Sequence, residues 1–380
     1  MAIAREDAAP SFESWKLRLE RATPAQLPAE LDEFLRVLTV LGTPLIDGAD
    51  VHFVYYNPHA NHVAVAGEFN EWGRNNDAIP MQRLRDTALF FHTLTVPGAT
   101  RLEYKFIVDG EWKPDPLSQH KIDNGLGGQN TFFVVGDFHD PPELEPVAGI
   151  PQGRVEEFEF DSRLLLNRRR VYVYLPNTYD RDRDTRFPSF YVHDGGEYLE
   201  RARMATVMDN LIHAGEIRPM VVVMIDPIDR GHEYRINDPY RDFLCDEFVP
   251  AIDGRYRTID DRDQRGVMGA SLGGLISVYA ALSRPQLFAR VAGQSSALQY
   301  GEDSLVALLG AVANTTIKFY LDVGSYEPRF IPAHERFVAL LKQKCWPCLY
   351  QEVAGGHNWT NWRAHLKDLL LYLWSPLRTE

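Results

Sequence analysis

The stretch Gly266-Val-Met-Gly-Ala-Ser-Leu-Gly-Gly274 constrains this chain more than any other. Positions 269–273 spell G-x-S-x-G, with an apolar lead-in at 265–268 and a helix-like run at 275–282. A serine set between glycines, with a strand before it and a helix after it, predicts a sharp strand-to-helix turn. Such a turn lifts the hydroxyl off the edge of a sheet. The backbone there is tight and strained, and a Cβ on either flank would clash. The turn also puts Ser271 at a helix N-terminus, so the amide of Leu272 is predicted to face charge developing on a reacting oxygen. A Gly/Ser turn without chemistry is the plainer reading; the flanking strand and helix patterns favour the first.

The residues around this motif alternate between strand and helix. Near-continuous apolar runs at 187–193 and 220–226 read as buried parallel strands. Helix-like segments at 198–212 and 243–252 separate them from each other and from the strand that leads to Ser271. Strands at 289–295, 317–323 and 349–353 continue the alternation, and the runs at 155–160 and 170–176 read as an antiparallel pair. This is the pattern of an α/β layered domain, expected over 153–380. The prolines at 141, 142, 146 and 151 predict a linker over 139–152.

The first third reads differently. Residues 1–48 are expected to be a helical segment, with Leu27, Leu31, Phe34, Leu35, Leu38 and Leu41 at helical spacings and Pro24 and Pro28 as breaks. From 49 to 138, short apolar or alternating runs are separated by Asn57-Pro58, Pro97-Gly98 and Asp109-Gly110, the last a hairpin signal. Many short strands in so short a stretch predict a β-sandwich.

Composition sets the outer limits. A formal net charge of −13 disfavours nucleic acid and anionic membrane surfaces as partners. No apolar run reaches membrane-spanning length, and the N-terminal residues lack the basic-then-apolar pattern of a signal peptide. A cytoplasmic location is expected, and a homo-oligomer is compatible with everything above. The three cysteines make no disulfide framework. Cys345-Trp-Pro-Cys348 precedes a strand and has no second pair, so two packed thiols are expected.

Three positions fit a serine, acid, histidine order, each on a loop after a strand. Ser271 comes first and His357, in Gly355-Gly-His-Asn, comes last. Between them the acid is Glu327 on the loop after the strand, with Asp322 inside the strand as the alternative. The histidine would take the serine proton and return it to the leaving group, while the acid fixes its tautomer. A second oxyanion donor is expected from His193-Asp-Gly-Gly196, with Gly196 the choice. His193 and Asp194 as metal ligands lack a third partner at useful spacing, so no metal or cofactor is expected. Arg230, Tyr234 and Arg235, on a long loop after Asp226, and Trp359, just after the histidine, are expected at a substrate pocket.

Two resemblances add to this. Gly67-Glu-Phe-Asn-Glu-Trp72 and Tyr104-Lys-Phe-Ile-Val-Asp-Gly-Glu-Trp112 resemble the glycogen-binding type of carbohydrate-binding module over about residues 50–136. That resemblance implies Trp72, Lys105, Trp112, Leu126 and Asn130 as glycan contacts, with aromatic faces stacking on sugar rings. An interdomain brace that never meets sugar is the other reading. His193-Asp-Gly-Gly, the stretch 246–257, Gly269-Ala-Ser-Leu-Gly-Gly, Val323-Gly-Ser-Tyr-Glu-Pro and Gly355-Gly-His resemble the esterase D group of α/β-hydrolases, and within it the enterochelin esterases. Feruloyl and acetylxylan esterases share this catalytic domain. The resemblance implies an early-set, immunoglobulin-like sandwich followed by an α/β-hydrolase domain, and its G-x-x-[DE]-P element supports Glu327. It implies a serine carboxylic ester hydrolase working through an acyl-enzyme on a bulky aryl, sugar-linked or siderophore ester. Two alternatives are kept: a glycan-binding protein with a vestigial hydrolase domain, and an acyltransferase using the same three residues.

Overall fold

A computed structural model describes residues 11–125, 127–181 and 183–376. The chain divides into two compact units. One is built on residues up to His139 together with 354–356, and the other on Asp140–Val353 and the residues from His357 onward.

In the first unit the helices Phe12–Arg21 and Leu27–Leu41 form where the apolar spacing predicts them. Ser11 caps the first, its hydroxyl accepting from the Ser14 amide, and Pro28 lies in the opening turn of the second. Their apolar faces carry Phe12, Trp15, Leu19, Phe34 and Leu38 into one cluster with Val54, Leu89 and Phe91. The remainder is a β-sandwich. Among the described residues one sheet has four strands, with Asp50–Tyr56 pairing Leu89–Thr95 at its centre. The other has six, with Thr100–Val108 between Val63–Gly67 and Gln129–Val135. Phe53, Tyr104, Phe106 and Phe133 are buried, and Phe53, Tyr104 and Phe133 meet ring against ring. Asp109 and Gly110 turn the chain from Thr100–Val108 into Glu111–Lys113 with positive φ at both residues, the geometry of a two-residue hairpin.

The second unit holds an eight-stranded sheet among the described residues. We number its strands β1 (Arg154–Ser162), β2 (Asn167–Leu175), β3 (Ser189–His193), β4 (Val221–Ile225), β5 (Arg265–Ala270), β6 (Arg290–Gln294), β7 (Lys318–Gly324) and β8 (Cys348–Val353). Their order is β1-β2-β4-β3-β5-β6-β7-β8. β1 and β2 pair antiparallel, as does β2 with β4, and every pairing from β4 to β8 is parallel. Two apolar clusters cover the two faces. This is why β4 is apolar at every position and β3 at its three central ones: both faces of a parallel sheet are covered. All residues of β4 are fully buried. The architecture is a β-sandwich followed by an α/β-hydrolase domain.

The proline-punctuated stretch that reads as a linker is packed. Residues Pro142–Leu144 form a short 3-10 turn, and Leu144 is buried in the second unit's core. Asn210 Nδ2 donates to the carbonyls of Glu143 and Glu145, and Arg203 to that of Leu144. Prolines end regular structure, but they do not keep an apolar neighbour such as Leu144 in water.

Candidate active site

The elbow is where β5 ends. Ser271 has φ 57° and ψ −120°, a conformation L-residues avoid. The surroundings hold it there. Its amide donates to Gln294 O at 2.8 Å and its carbonyl accepts from Ala297 N at 2.9 Å. The glycines are required by close approach: a Cβ at Gly269 would lie 2.4 Å from the Gly273 carbonyl carbon, and one at Gly274 would lie 2.2 Å from Ser296 Oγ. The helix Leu272–Ser283 starts at the next residue, so the Leu272 amide is among those with no partner inside the helix.

Three residues far apart in sequence meet here. Ser271 Oγ lies 2.9 Å from His357 Nε2, across 86 residues. His357 Nδ1–H donates to Glu327 Oε1. Glu327 is 2% exposed, and its other oxygen accepts from Ser295 Oγ at 2.6 Å and from the Gly324 amide at 2.5 Å. The imidazole is stacked on Phe330 at 4.7 Å and meets the Trp362 ring edge-on at 5.1 Å. The Trp362 indole N–H donates to Ser295 Oγ at 3.0 Å, so one hydroxyl ties the acid to the ring that walls the histidine.

Asp322 takes no part in that chain of contacts. It lies within β7 and is fully buried, with its Oδ2 accepting from Gln294 Nε2 at 3.2 Å. Burial above all pushes its carboxyl up to about 7. Gln294 links it onward: Gln294 Oε1 accepts from Tyr198 Oη at 2.9 Å and its Nε2 also donates to Trp362 O at 2.8 Å.

Several expected positions are placed elsewhere. The Gly196 amide, expected to face the oxyanion, donates to Asp226 Oδ1 at 2.7 Å and is spent there. Tyr234, expected at the substrate pocket, is fully buried. Its hydroxyl accepts from the Asp194 amide at 3.2 Å and its ring packs against His193 and Tyr240. The stretch after Asp226 forms two short helices, Arg230–Glu233 and Asp238–Asp242; Tyr234, which follows the first, and Tyr240, within the second, are both buried. Arg235 is exposed with its guanidinium over the Tyr300 ring at 5.0 Å. Arg230 does reach the elbow: it donates to Ala270 O at 3.2 Å and to both oxygens of buried Asp194 at 2.7 and 2.8 Å. A cavity of about 330 Å³ opens beside this pair, lined also by Gly196, Glu197 and Asp226. Trp359 is half-buried, edge-on to both Tyr198 and Trp362.

His193 is buried beneath the elbow. Its Nδ1–H donates to Ser277 Oγ at 2.9 Å and lies 3.2 Å from Met268 O. Burial pushes it down to about 3, so it is neutral at ordinary pH. Among the described residues no group of three or more His, Cys, Asp or Glu side chains is placed to hold a metal.

In the first unit Trp72 and Trp112 lie with ring centroids 6.4 Å apart, and Trp112 is 48% exposed. Lys105 is half-buried and shares a sheet face with Trp112, which pairs Ile107 two residues along the same strand. Asn130 is instead buried, its amide donating to Glu103 Oε2 at 2.8 Å. Leu126 lies outside the described residues.

A family profile described as “Putative esterase” matches residues 162–373. The chain belongs to this esterase family. A second profile, the glycogen recognition site of AMP-activated protein kinase, matches residues 50–139. Among relatives, the iron(III) enterobactin esterase of Escherichia coli strain K12 is 29% identical over 304 residues, 74% of this chain and 73% of that protein. Among solved structures, the ferric enterobactin esterase of Salmonella typhimurium superposes with a TM-score of 0.72 at 22% identity, covering 86% of this chain and 93% of that one. A ferulic acid esterase superposes at 0.53 and 22% identity, covering 58% of this chain and 98% of that one. The esterase is thus an ester hydrolase of the enterochelin esterase type with a carbohydrate-binding-module-like N-terminal unit. The residues that sequence reasoning missed are Ser295, which ties the acid, Phe330, which walls the histidine, and Gln294, which holds Asp322 away from both. The polar run Gln294-Ser-Ser296 at the end of an apolar strand was the available signal for Ser295 and Gln294.

Proposed function

We propose that the esterase cleaves a bulky carboxylic ester through an acyl-enzyme, with Ser271 as nucleophile, His357 as general base and acid, and Glu327 as the residue that orients the imidazole. The observation that carries this is the bridging position of the His357 ring, with Nε2 at 2.9 Å from Ser271 Oγ and Nδ1 on Glu327. Ser271 Oγ attacks the ester carbonyl as its proton moves to Nε2. The carbonyl oxygen takes the negative charge, facing the Leu272 amide at the helix start. The imidazolium then protonates the departing alkoxide. Water, deprotonated by the same nitrogen, attacks the acyl group and releases the acid. Tyr198, Trp359 and Trp362 make an aromatic cluster next to the histidine, which supports an aryl acyl or alcohol group as the preferred one. The names of the relatives support siderophore and feruloyl esters as the classes to screen. The three unpaired thiols fit a reducing compartment, the cytoplasm.

Substitution of Ser271 by Ala, with the fold checked by circular dichroism, is expected to abolish turnover of p-nitrophenyl acetate. Retained turnover would overturn the proposal. A panel of ferric enterobactin, feruloyl and acetyl-sugar esters then ranks substrates by kcat/KM.

We further propose that Trp72, Trp112 and Lys105 form a glycan-binding face, supported by the exposed Trp112 ring, its contact with the half-buried Trp72 and the half-buried Lys105 on the same sheet face. Retention on amylose that is lost in Trp72→Ala and Trp112→Ala supports it, and no retention of the unmodified chain refutes it.

A further inference from the structure

The N-terminal edge of the sheet, at the strand ends opposite the elbow, carries a cluster of cations that the ester chemistry does not use. Arg290 and Lys318 open β6 and β7 and are register partners side by side. Arg262 and Arg218 flank them. A cavity of about 250 Å³ lies here, lined by Arg290, Lys318, Thr316, Ala289 and Asp263. Asp263 is its one acidic lining residue, and that carboxylate is already engaged by Arg262 at 2.9 Å.

A structural role accounts for part of the cluster. Arg290 donates to Leu373 O and Lys318 to Tyr372 O, carbonyls at the C-terminal end of the helix Leu366–Trp374. Cations suit that end of a helix. Each is also held over a ring, Arg290 over Trp374 at 4.7 Å and Lys318 over Tyr372 at 4.2 Å. This role leaves many donors unused. Of the five guanidinium N–H donors of Arg290, one goes to Leu373 O and one to Asp263 O. The Lys318 ammonium spends one of three on Tyr372 O. Arg218 Nε is buried without a partner.

Like charges this close, half removed from water, repel. Burial first and then Arg218 pull the Arg290 guanidinium below its ordinary value; burial first and then Arg290 do the same to Lys318. Arg262 spends its own donors on Pro285 O, Thr316 O and Asp263, and Arg218 gives one to Gln264 Oε1, so the spare donors at the cavity are chiefly those of Arg290 and Lys318. A multiply charged oxyanion answers every feature: it offers acceptors to the spare donors, matches the fork of Arg and the point charge of Lys, and offsets the repulsion. The net charge of −13 keeps extended polyanions away, so the occupant is small.

We propose that this cavity is a binding site for a small phosphoanion, a free diphosphate or a phosphomonoester, at the sheet edge remote from Ser271. The test is calorimetric titration of the full chain with sodium pyrophosphate and, separately, glycerol 3-phosphate, at ionic strength matched with sodium chloride. Saturable binding with one-to-one stoichiometry is expected for at least one; which of the two binds assigns the source. Lys318→Gln is expected to weaken it at least tenfold. Asp263→Asn removes the one carboxylate of the lining and is expected to tighten it severalfold, a gain that a misfolded variant cannot mimic. Absence of saturable binding for both probes, or binding indifferent to both substitutions, overturns the proposal.

Discussion

Replacing Glu327 by Gln keeps size and shape and changes only charge and one donor, yet the structure forces a severe outcome. The side-chain oxygen next to Ser295 Oγ and the Gly324 amide accepts two hydrogen bonds. A carboxamide must therefore leave its oxygen there, because its NH2 in that place would face two donors. Its NH2 then faces His357 Nδ1, which must accept. The imidazole is left with its proton on Nε2, the nitrogen beside Ser271 Oγ that we propose takes the serine proton. Rotating the amide to escape would bury two unsatisfied donors and an amide against them, at a cost of about 1–3 kcal/mol for each. The wrong tautomer is the cheaper state. From the loss that a wrong tautomer causes in serine hydrolases, kcat should fall by about 10³–10⁴-fold, or about 4–5.5 kcal/mol of barrier, with KM little changed. The assay is initial-rate hydrolysis of a p-nitrophenyl ester from pH 6 to 10, with Asp322→Asn as control. That control should stay within about threefold, since Asp322 touches neither the histidine nor the serine and its loss removes no group from the barrier. A Glu327→Gln variant within tenfold of the parent, or an Asp322→Asn variant as damaged as it, would refute the reasoning.

Further expectations follow from the same packing. At Ser271, Gly should be more stable than Ala by about 0.5–2 kcal/mol in urea unfolding, reversing the usual order. Ala keeps the Cβ in a strained region that costs about 1–3 kcal/mol, against the roughly 0.5–1 kcal/mol by which Gly is normally the poorer residue. Asp322 holds its proton from about 3.8, its unfolded value, up to about 7 in the folded chain. The folded state therefore binds more protons across that window, and this group's stability contribution falls as pH rises through it. Asp322→Asn should flatten that slope and add on the order of 3–4 kcal/mol at pH 8, read by denaturation at pH 5 and pH 8. Arg230→Met strands the buried Asp194 carboxylate. Because Arg230 is itself about a third exposed, the loss should lie below the fully buried range, about 2 kcal/mol, and Arg230→Met with Asp194→Asn should recover part of it.

Much of this protein is legible in its residues because the controlling physics is local. A serine between glycines after a strand can only be a strained turn, and that turn is present at φ 57°. Apolar runs buried on both faces can only be inner strands of a covered sheet, and β3 and β4 are such strands. The helical spacing of Phe34 and Leu38, and the Asp109-Gly110 turn, are likewise decided within a few residues of chain. The order serine, acid, histidine was readable too, since each lies on a loop after a strand. What the chain could not state is which way a side chain points once distant segments pack. Asp322 and Glu327 are equally acidic in sequence. Strand alternation and the bend after Gly324 turn the first into the sheet and bring the second to the imidazole. Tyr234 reads as a pocket residue because loops usually face water, but the short helix Arg230–Glu233 ends just before it and turns its hydroxyl into the core. The Gly196 amide was free to turn inward until Asp226, the residue just past β4, took it. Local stereochemistry fixes conformation within a turn or a strand, whereas the partner of a polar group can lie 86 residues away, as for Ser271 and His357, or 96, as for Tyr198 and Gln294, and only the assembled fold selects among them.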